Sequence, residues 1–209
     1  MLTRLRLAWH RYQARRKMNR VFSRRADPFK YSETPYEQER LEAMAGAVAG
    51  RRWKNVLEIG AAEGHFTGRL SEIAEKVVAV ELSPVAARRL REFLGGRSWV
   101  EVVESDLRDF EPSGKFDLIV LGDVLYYMDK PLVRDEFEAV FPRLSSWLAP
   151  GGRMLLAHGF CNEPERKIRT SYRERFEKAG LTLESESVVG KSEKDGDVRC
   201  LLSLLGARG

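Results

Sequence analysis

Acidic side chains end, or closely follow, short apolar runs at several points of this sequence. Glu81 ends such a run and lies about 20 residues beyond a glycine pair, the separation at which doubly wound folds place a carboxylate for ribose hydroxyls. Glu58 stands just before Gly60, and a carboxylate near such a turn suits a cationic ligand better than phosphates. These positions predict a site for a ligand that carries hydroxyl groups and positive charge.

The glycine pair lies within residues 56–70, where an apolar run stops at Gly60 and an apolar stripe at helical spacing begins after Gly64. This pattern predicts a strand, a tight turn and a helix. Glycine lets the backbone approach a ligand closely, and the start of a helix offers unpaired N–H groups. The dinucleotide fingerprint needs a further glycine where this chain has Ala62, which disfavours a nicotinamide cofactor.

Groups able to accept a proton follow the fourth and fifth predicted strands. The apolar run at residues 116–121 leads into Asp123, Tyr126 and Tyr127, and His158 follows the next strand. A nucleophile is helped by a base or acceptor near the reacting atom, so Asp123, Tyr126 and His158 are the candidate catalytic residues. If this stretch is extended, Tyr126 and Tyr127 point to opposite faces and only one is expected in the site. For His158, a structural role with a hydrogen bond to the backbone stays open.

The two cysteines, Cys161 and Cys200, lie far apart in the chain. Neither has a cysteine or histidine partner at metal-ligand spacing, which argues against a thiolate or imidazole metal site and against a disulfide framework. We expect both to be packing residues, and we expect no metal.

Strands and helices alternate along the chain, which predicts one α/β domain built on a central parallel sheet. The seven predicted strands are residues 56–59, 76–81, 99–104, 116–121, 153–157, 181–189 and 198–205. A polar, hairpin-like turn at residues 190–197 is expected between the last two. The carboxyl ends of parallel strands form the ligand-binding edge of such a sheet, so Asp106, which follows the third strand, joins the acids already named.

Apolar stripes predict the helices that connect these strands. Three stripes with their inward-facing residues are Leu41, Met44 and Val48; Ala86, Leu90 and Phe93; and residues 137–147. Pro142 is expected to kink or split the third of these helices. Tyr172 and Phe176 mark a short helix that follows a polar stretch and is closed by Gly180.

The net charge of +5 is unevenly distributed. Residues 1–26 hold nine of the 36 basic residues and none of the 31 acidic ones, so the remainder of the chain is mildly acidic. Leu2, Leu5, Trp9 and Tyr12 fall on one helical face, which predicts a basic amphipathic arm or helix. Docking on the domain, an anionic membrane surface, RNA and a removable targeting segment remain open as its role, and we expect its deletion to leave cofactor affinity intact.

The second segment, residues 27–52, contains Phe29, Tyr31 and Tyr36 ahead of the first strand. These aromatics are expected either to form a lid over a ligand or to pack in the core. Residues 27–209 would then form one domain with a helical lid at its start. Since no run reaches the roughly 18 to 20 apolar residues of a membrane span and no signal-peptide core is present, we expect a cytoplasmic protein.

The chain resembles class I methyltransferases from about residue 27 onwards, and more narrowly the nodulation methyltransferase family, which N-methylates a deacetylated chitooligosaccharide with S-adenosylmethionine (SAM). The resemblance is carried by the segments DPFKYSETPYEQER, VLEIGAAEGHFTGRL, GDVLYYM, LAPGG and RCLLSLL. It implies SAM as cofactor and a Rossmann-like fold, with a mostly parallel seven-stranded sheet, helices on both faces and an antiparallel last strand.

The resemblance also implies roles for individual residues. Glu81 would bind the ribose, Asp106 with Leu107 the adenine, and Asp123 would lie beside the amino-acid end or the transferring methyl. The implied cofactor-binding residues are Glu58, Gly60, Ala61, Ala62, Gly64, Glu81, Leu82, Asp106, Leu107, Gly122 and Asp123.

We therefore expect a SAM-dependent methyltransferase acting on an amine or hydroxyl of a small molecule or glycan, with an amino sugar or oligosaccharide favoured. The alternatives are an RNA or protein methyltransferase recruited by the basic arm, and a non-catalytic SAM-binding scaffold. The Asn/Asp-Pro-Pro-Tyr/Phe motif of base N-methylation is absent after Leu121, which disfavours base methylation and leaves ribose or rRNA targets open, and a nucleic-acid partner is not the favoured one. The chain departs from the family at residues 1–26 and in the segment CNEPERKIRT. Its oligomeric state stays open.

Overall fold

A computed structural model describes residues 2–190 and 197–207, with side chains from residue 6 onwards. Seven strands form one sheet in the order β3-β2-β1-β4-β5-β7-β6, in which β7 alone runs antiparallel to its neighbours. The strands are β1 (Trp53–Ile59), β2 (Ala74–Glu81), β3 (Val100–Glu104), β4 (Phe116–Gly122), β5 (Leu148–Phe160), β6 (Leu181–Val189) and β7 (Arg199–Ala207). The predicted parallel sheet with an antiparallel last strand is confirmed. Residues 191–196 of the predicted hairpin turn lie outside the described residues.

Helices cover both faces of this sheet. They are α1 (Leu2–Arg24), α2 (Pro35–Ala47), α3 (His65–Ile73), α4 (Pro84–Leu94), α5 (Leu125–Met128), α6 (Arg134–Trp147) and α7 (Glu163–Lys178). Leu57 and Ile59 of β1 face the apolar layer formed with α6 and α7, whereas Val56 faces the layer beneath α2 and α3. Strands β1 and β4 are neighbours, and the chain leaves them towards opposite edges of the sheet. A ligand-binding crevice is expected at such a switch point, outside the carboxyl ends of the strands.

Two helix predictions need correction, and a third is decided in part. Phe93 is 61% exposed, and Leu94 takes the inward position at the end of α4. Pro142 lies inside α6, which is continuous through it, so the helix is not split. The last helix is long rather than short, because the polar stretch before Tyr172 belongs to α7 and begins with an Asn162 cap that accepts the Glu165 N–H.

Helix α1 lies along the carboxyl edge of the sheet. Its Arg11 pairs with Glu136 at 2.8 Å, and Arg89 of α4 donates to the carbonyl oxygen of Phe22 at 2.9 Å. The predicted apolar stripe does not dock on the domain where its side chains are described, since Trp9 and Tyr12 are 62% and 53% exposed while the opposite face, including Phe22, is docked. The side chains of Leu2 and Leu5 fall outside the described part. Among the described residues, no helix is both long enough and apolar enough to cross a bilayer.

Candidate active site

A cavity of about 800 Å³ opens at the carboxyl ends of the strands, beneath α1. Its walls come from α1, the segment before α2, the ends of β1, β2 and β4, and the start of α7. The predicted site residues that line it are Gly60, Ala62, Glu81, Leu82, Asp106, Leu107, Gly122, Asp123 and Tyr126. The lid candidates Phe29, Tyr31 and Tyr36 line it too. The fold thus brings most of the predicted residues to one place.

Four predicted residues do not line this cavity: Glu58, Ala61, Gly64 and His158. Glu58 lies behind the glycine turn and accepts a 2.6 Å hydrogen bond from the Thr67 hydroxyl. Burial raises the pKa of Glu58 to about 8, so this carboxyl is largely protonated at neutral pH. Gly64 has a left-handed φ of 95° and packs against α4, where an added Cβ would lie 2.3 Å from Leu90 Cδ1. Glu58 and Gly64 therefore shape the turn from behind.

Gly60 is required by the close packing of the turn. Its φ is 79°, and an added Cβ would lie 2.3 Å from Val124 Cγ2. Two residues further along the turn, Ala62 has a left-handed φ of 50°. Its N–H donates to Glu81 Oε2 at 2.9 Å. The strained residue is thus held by the carboxylate of the neighbouring strand.

The Glu81 carboxylate is buried and fixed from two sides. Oε2 accepts the Ala62 N–H, and Oε1 accepts the Ser83 N–H at 2.7 Å. Burial raises the pKa of Glu81, and the backbone hydrogen bonds act in the opposite direction. A carboxylate has about four acceptor positions, so hydroxyl groups in the cavity can still donate to it.

Asp106 follows β3 and is held by Arg108. The Arg108 Nη2 atom lies 2.6 Å from Asp106 Oδ2, and the Arg108 N–H donates to Oδ1 at 2.9 Å. Burial raises the pKa of Asp106, but these bonds outweigh it and leave the pKa below its ordinary value. The carboxylate is ionised and faces the cavity next to Leu107.

Asp123 joins three elements at the end of β4. Its Oδ1 accepts the Gly159 N–H of β5 at 2.7 Å, and its Oδ2 lies 2.8 Å from Nη2 of Arg40 in α2. The residue has a φ of 53°, a conformation that Asp and Asn adopt more readily than most residues. Both carboxylate oxygens are therefore fixed in place beside the cavity.

Arg40 is the buried cation of this group, with 3% of the residue exposed. Its Nη1 donates to Glu37 Oε2 at 2.9 Å, while Nη2 faces Asp123. Burial lowers the pKa of Arg40, but the nearby carboxylate of Asp123 outweighs it and the guanidinium stays charged. Arg40 was not predicted as a site residue, because a lone arginine on an amphipathic helix looks like any surface arginine in the sequence.

The remaining catalytic candidates differ from expectation. Tyr126 and Tyr127 lie in the short helix α5 rather than in an extended chain, their ring centroids are 4.4 Å apart, and both line the cavity. Burial raises the pKa of Tyr126, so it is a neutral phenol. His158 is 2% exposed, faces Tyr172 rather than the cavity, and burial lowers its pKa to about 4. The structure therefore does not support His158 as the general base.

One cluster of potential metal ligands occurs among the described residues, formed by Asp27, Glu63 and His65. The Asp27 carboxylate accepts the N–H groups of Tyr31 and Ser32, and Glu63 accepts the Asp27 N–H at 2.6 Å. These oxygens already serve to anchor the chain between α1 and α2.

A family model described as Nodulation protein S (NodS) matches residues 14–162. The chain belongs to the NodS family. A Nodulation protein S from Sinorhizobium fredii is 31% identical over 130 residues, which cover 62% of this chain and 59% of that protein. One from Bradyrhizobium diazoefficiens is 34% identical over 130 residues, covering 59% and 58%. The match thus spans less than two thirds of these NodS relatives.

A solved NodS structure shares the fold. The N-methyltransferase NodS from Bradyrhizobium japonicum WM9, in complex with S-adenosyl-L-homocysteine (SAH), superposes with a TM-score of 0.80 at 22% identity and covers 94% of this chain and 99% of that one. The predicted Rossmann-like class I methyltransferase fold is confirmed. The NodS model match ends at residue 162, so α7 with Glu165 and Arg169, which also line the cavity, lies beyond it.

Several residues that line the cavity were not predicted from the sequence, and two groups of them lie on helices. These are His10, Gln13, Ala14, Lys17, Met18 and Phe22 on α1, and Glu165 and Arg169 on α7. For α7 the available signal was the departure of the segment CNEPERKIRT from the family, whereas residues 14–24 of α1 lie within the NodS model match.

Proposed function

We propose that the protein is a SAM-dependent methyltransferase. The observation that carries this proposal is the buried Glu81 carboxylate, fixed by Ala62 and Ser83 beside the turn at Gly60, in a chain of the NodS family. Glu81 accepts hydrogen bonds from the ribose hydroxyls, and Asp106 with Leu107 borders the adenine. A cavity of about 800 Å³ is large enough for this cofactor together with a small acceptor.

The amino-acid end of the cofactor lies towards Gly60, Gly122 and Asp123, and the acceptor enters on the side of Tyr126. When bound, SAM supplies a methyl group on a cationic sulfur that becomes neutral on transfer. Transfer is an in-line displacement, so the protein mainly has to align the nucleophile. Asp123 accepts a hydrogen bond from the amine or hydroxyl to be methylated. Its carboxylate stabilises the ammonium ion that an amine becomes, or takes up the proton that a hydroxyl loses.

The acceptor is a small molecule or glycan with an amine or hydroxyl group, and an amino sugar or oligosaccharide is favoured. The resemblance to the nodulation methyltransferases supports the amino sugar. The paired rings of Tyr126 and Tyr127 provide an aromatic wall on which a sugar ring can stack.

Calorimetry with SAH and with NAD tests the cofactor. We expect SAH alone to bind, and transfer of a labelled methyl group from SAM to a glucosamine-terminated oligosaccharide to follow. Binding of NAD alone would refute the proposal. Binding of SAH without transfer to that oligosaccharide, to RNA or to protein would favour a scaffold instead.

The Glu81→Ala variant tests the ribose contact. We expect SAH binding to weaken by about 1–3 kcal/mol, because the ribose loses its acceptor and the turn loses its support. Glu101→Ala is the control. Glu101 is an exposed residue of β3 that pairs with Lys76 of β2, and its loss should leave the SAH affinity unchanged. An unaltered dissociation constant in Glu81→Ala would refute this role.

Removal of residues 1–24 tests the place of α1. Because Met18 and Phe22 line the cavity, we now expect SAH affinity to fall at least about tenfold, which reverses the expectation from sequence. The double variant Trp9→Ala/Tyr12→Ala changes only the exposed face of α1 and should bind SAH normally. Equal affinity of the truncated and full chains would show that α1 is a separate arm.

A further inference from the structure

The charged groups that line the cavity are not all paired with one another. Each acidic side chain there has a partner: Glu37 and Asp123 pair with Arg40, Asp106 pairs with Arg108, Glu81 accepts two backbone N–H groups, and Glu165 accepts one. Among the described residues, no carboxylate oxygen lies within 4.0 Å of the cavity cations Lys17, Lys130 and Arg169. Three of the cavity cations therefore form no ion pair with a described residue, while Glu81 and Glu165 are held by backbone N–H groups alone.

Arg169 is the best-fixed of these three cations. Its Nε donates to the carbonyl oxygen of Gly159 at 2.8 Å, and its guanidinium lies 4.6 Å from the centroid of the Tyr126 ring. The guanidinium also lies 5.9 Å from the centroid of the Tyr172 ring. These contacts hold the guanidinium in one orientation at the acceptor side of the cavity, whereas lysine side chains lack such a planar support.

The acid one turn earlier on the same helix does not pair with Arg169. Glu165 lies one helical turn earlier on α7, at a separation that often allows an ion pair. Its Oε2 instead accepts the Cys161 N–H at 2.8 Å, and its own N–H donates to the Asn162 side chain. This reciprocal capping of α7 holds Glu165 away from Arg169.

Gly159 connects Arg169 with the reacting end of the site. The Gly159 N–H donates to Asp123, and the Gly159 carbonyl oxygen accepts a hydrogen bond from Arg169. Asp123 and Arg169 are thus held by the backbone of one residue, and both line the cavity. A single small molecule can therefore contact both side chains. An amine or hydroxyl would meet Asp123, and a negatively charged group would meet Arg169.

We propose that Arg169 binds an oxyanion, a carboxylate or phosphate, carried by the same acceptor whose amine or hydroxyl is methylated. This rests on the proposed methyltransferase function. A guanidinium offers a planar fork of N–H donors that matches two oxygens of such a group, and the charged hydrogen bonds are strong in a partly buried cavity. Arg169 lies beyond the residues that match the NodS model, so the match itself does not account for this cation.

Paired probes test the proposal by calorimetry on the SAH-loaded protein. Ethanolamine is compared with phosphoethanolamine and β-alanine, and glucosamine with glucosamine 6-phosphate. We expect at least one probe that carries a phosphate or carboxylate to bind about ten times more tightly than the matching probe that lacks this group. The phosphate and carboxylate probes show which oxyanion is preferred. Arg169→Met should abolish the preference, and Arg169→Lys should keep part of it.

Arg166→Met provides the matched control, because Arg166 is an exposed residue of the same helix that pairs with Glu163. It should keep the full preference. Absence of any preference in the unmodified protein, or its persistence in Arg169→Met, would overturn the proposal. Loss of SAH binding in a folded Arg169→Met would also overturn it, since Arg169 would then contact the cofactor. Failure of the unmodified protein to bind SAH would refute the methyltransferase function itself.

Discussion

Arg40→Met is expected to lower the free energy of unfolding by about 3 kcal/mol, because it leaves the carboxylates of Glu37 and Asp123 facing a buried position without their cation. Urea unfolding measures this as a lower midpoint at an unchanged slope. The methionine keeps most of the side-chain volume, so lost packing contributes little.

Arg153→Met is the control for this variant. Its partner Glu184 lies 2.8 Å away, but both side chains are about one-third exposed, so solvent screens the pair. We expect a loss of less than about 1 kcal/mol there. Equal losses for the two variants would show that the buried Arg40 group is no more important than a surface ion pair.

Asp123→Asn should reduce methyl transfer by about 10²- to 10⁴-fold, the usual contribution of a positioned acid–base group. Asparagine is compatible with the φ of 53°, and its amide oxygen can still accept the Gly159 N–H. The negative charge is lost both beside the nucleophile and opposite Arg40, so urea unfolding of the variant is measured alongside its activity. Single-turnover rates measured with saturating SAM isolate this step.

The control is Asp117→Asn at the opposite end of the same strand, where the carboxylate accepts the Asn55 N–H at 2.8 Å. It should turn over normally. SAH affinity within about threefold of the unmodified protein would separate a defect in transfer from one in binding. Normal transfer by Asp123→Asn would exclude Asp123 from the reaction.

Local patterns were sufficient to predict the sheet. Buried strands appear as apolar runs, and the turn at Gly60 appears as glycines between a strand and a helix, since backbone geometry restricts those positions to few residue types. The position of Glu81 followed from its spacing along the chain. Each of these signals lies within about 20 residues, the length of one strand and its crossover.

Which face of a strand borders the cavity was not predictable in this way. Glu58 alternates with Leu57 and Ile59, but both faces of β1 are buried, so its pattern does not show which side meets a ligand. His158 was assigned from its place at the end of a strand, and it faces Tyr172 in the core. The ends of the strands show where the ligand-binding site lies, whereas the direction of each side chain decides which residues line it.

The contributions of α1 and α7 were beyond local patterns for a different reason. Trp9 and Tyr12 suggested the wrong docking face because helical periodicity cannot distinguish an apolar stripe in the core from one in water. Arg169 lies in a strongly polar segment, and its significance appears only when Gly159 and Tyr126 are beside it.

The ion pair between Arg11 and Glu136 joins residues 125 positions apart. Contacts of such long range form late in folding, because the intervening chain must first be ordered. Helix α1 therefore cannot complete its docking until β4 and α6 are in place, and during synthesis it must wait for more than half of the chain. The cavity wall that comes first in the sequence is accordingly completed only after the chain has reached residue 136.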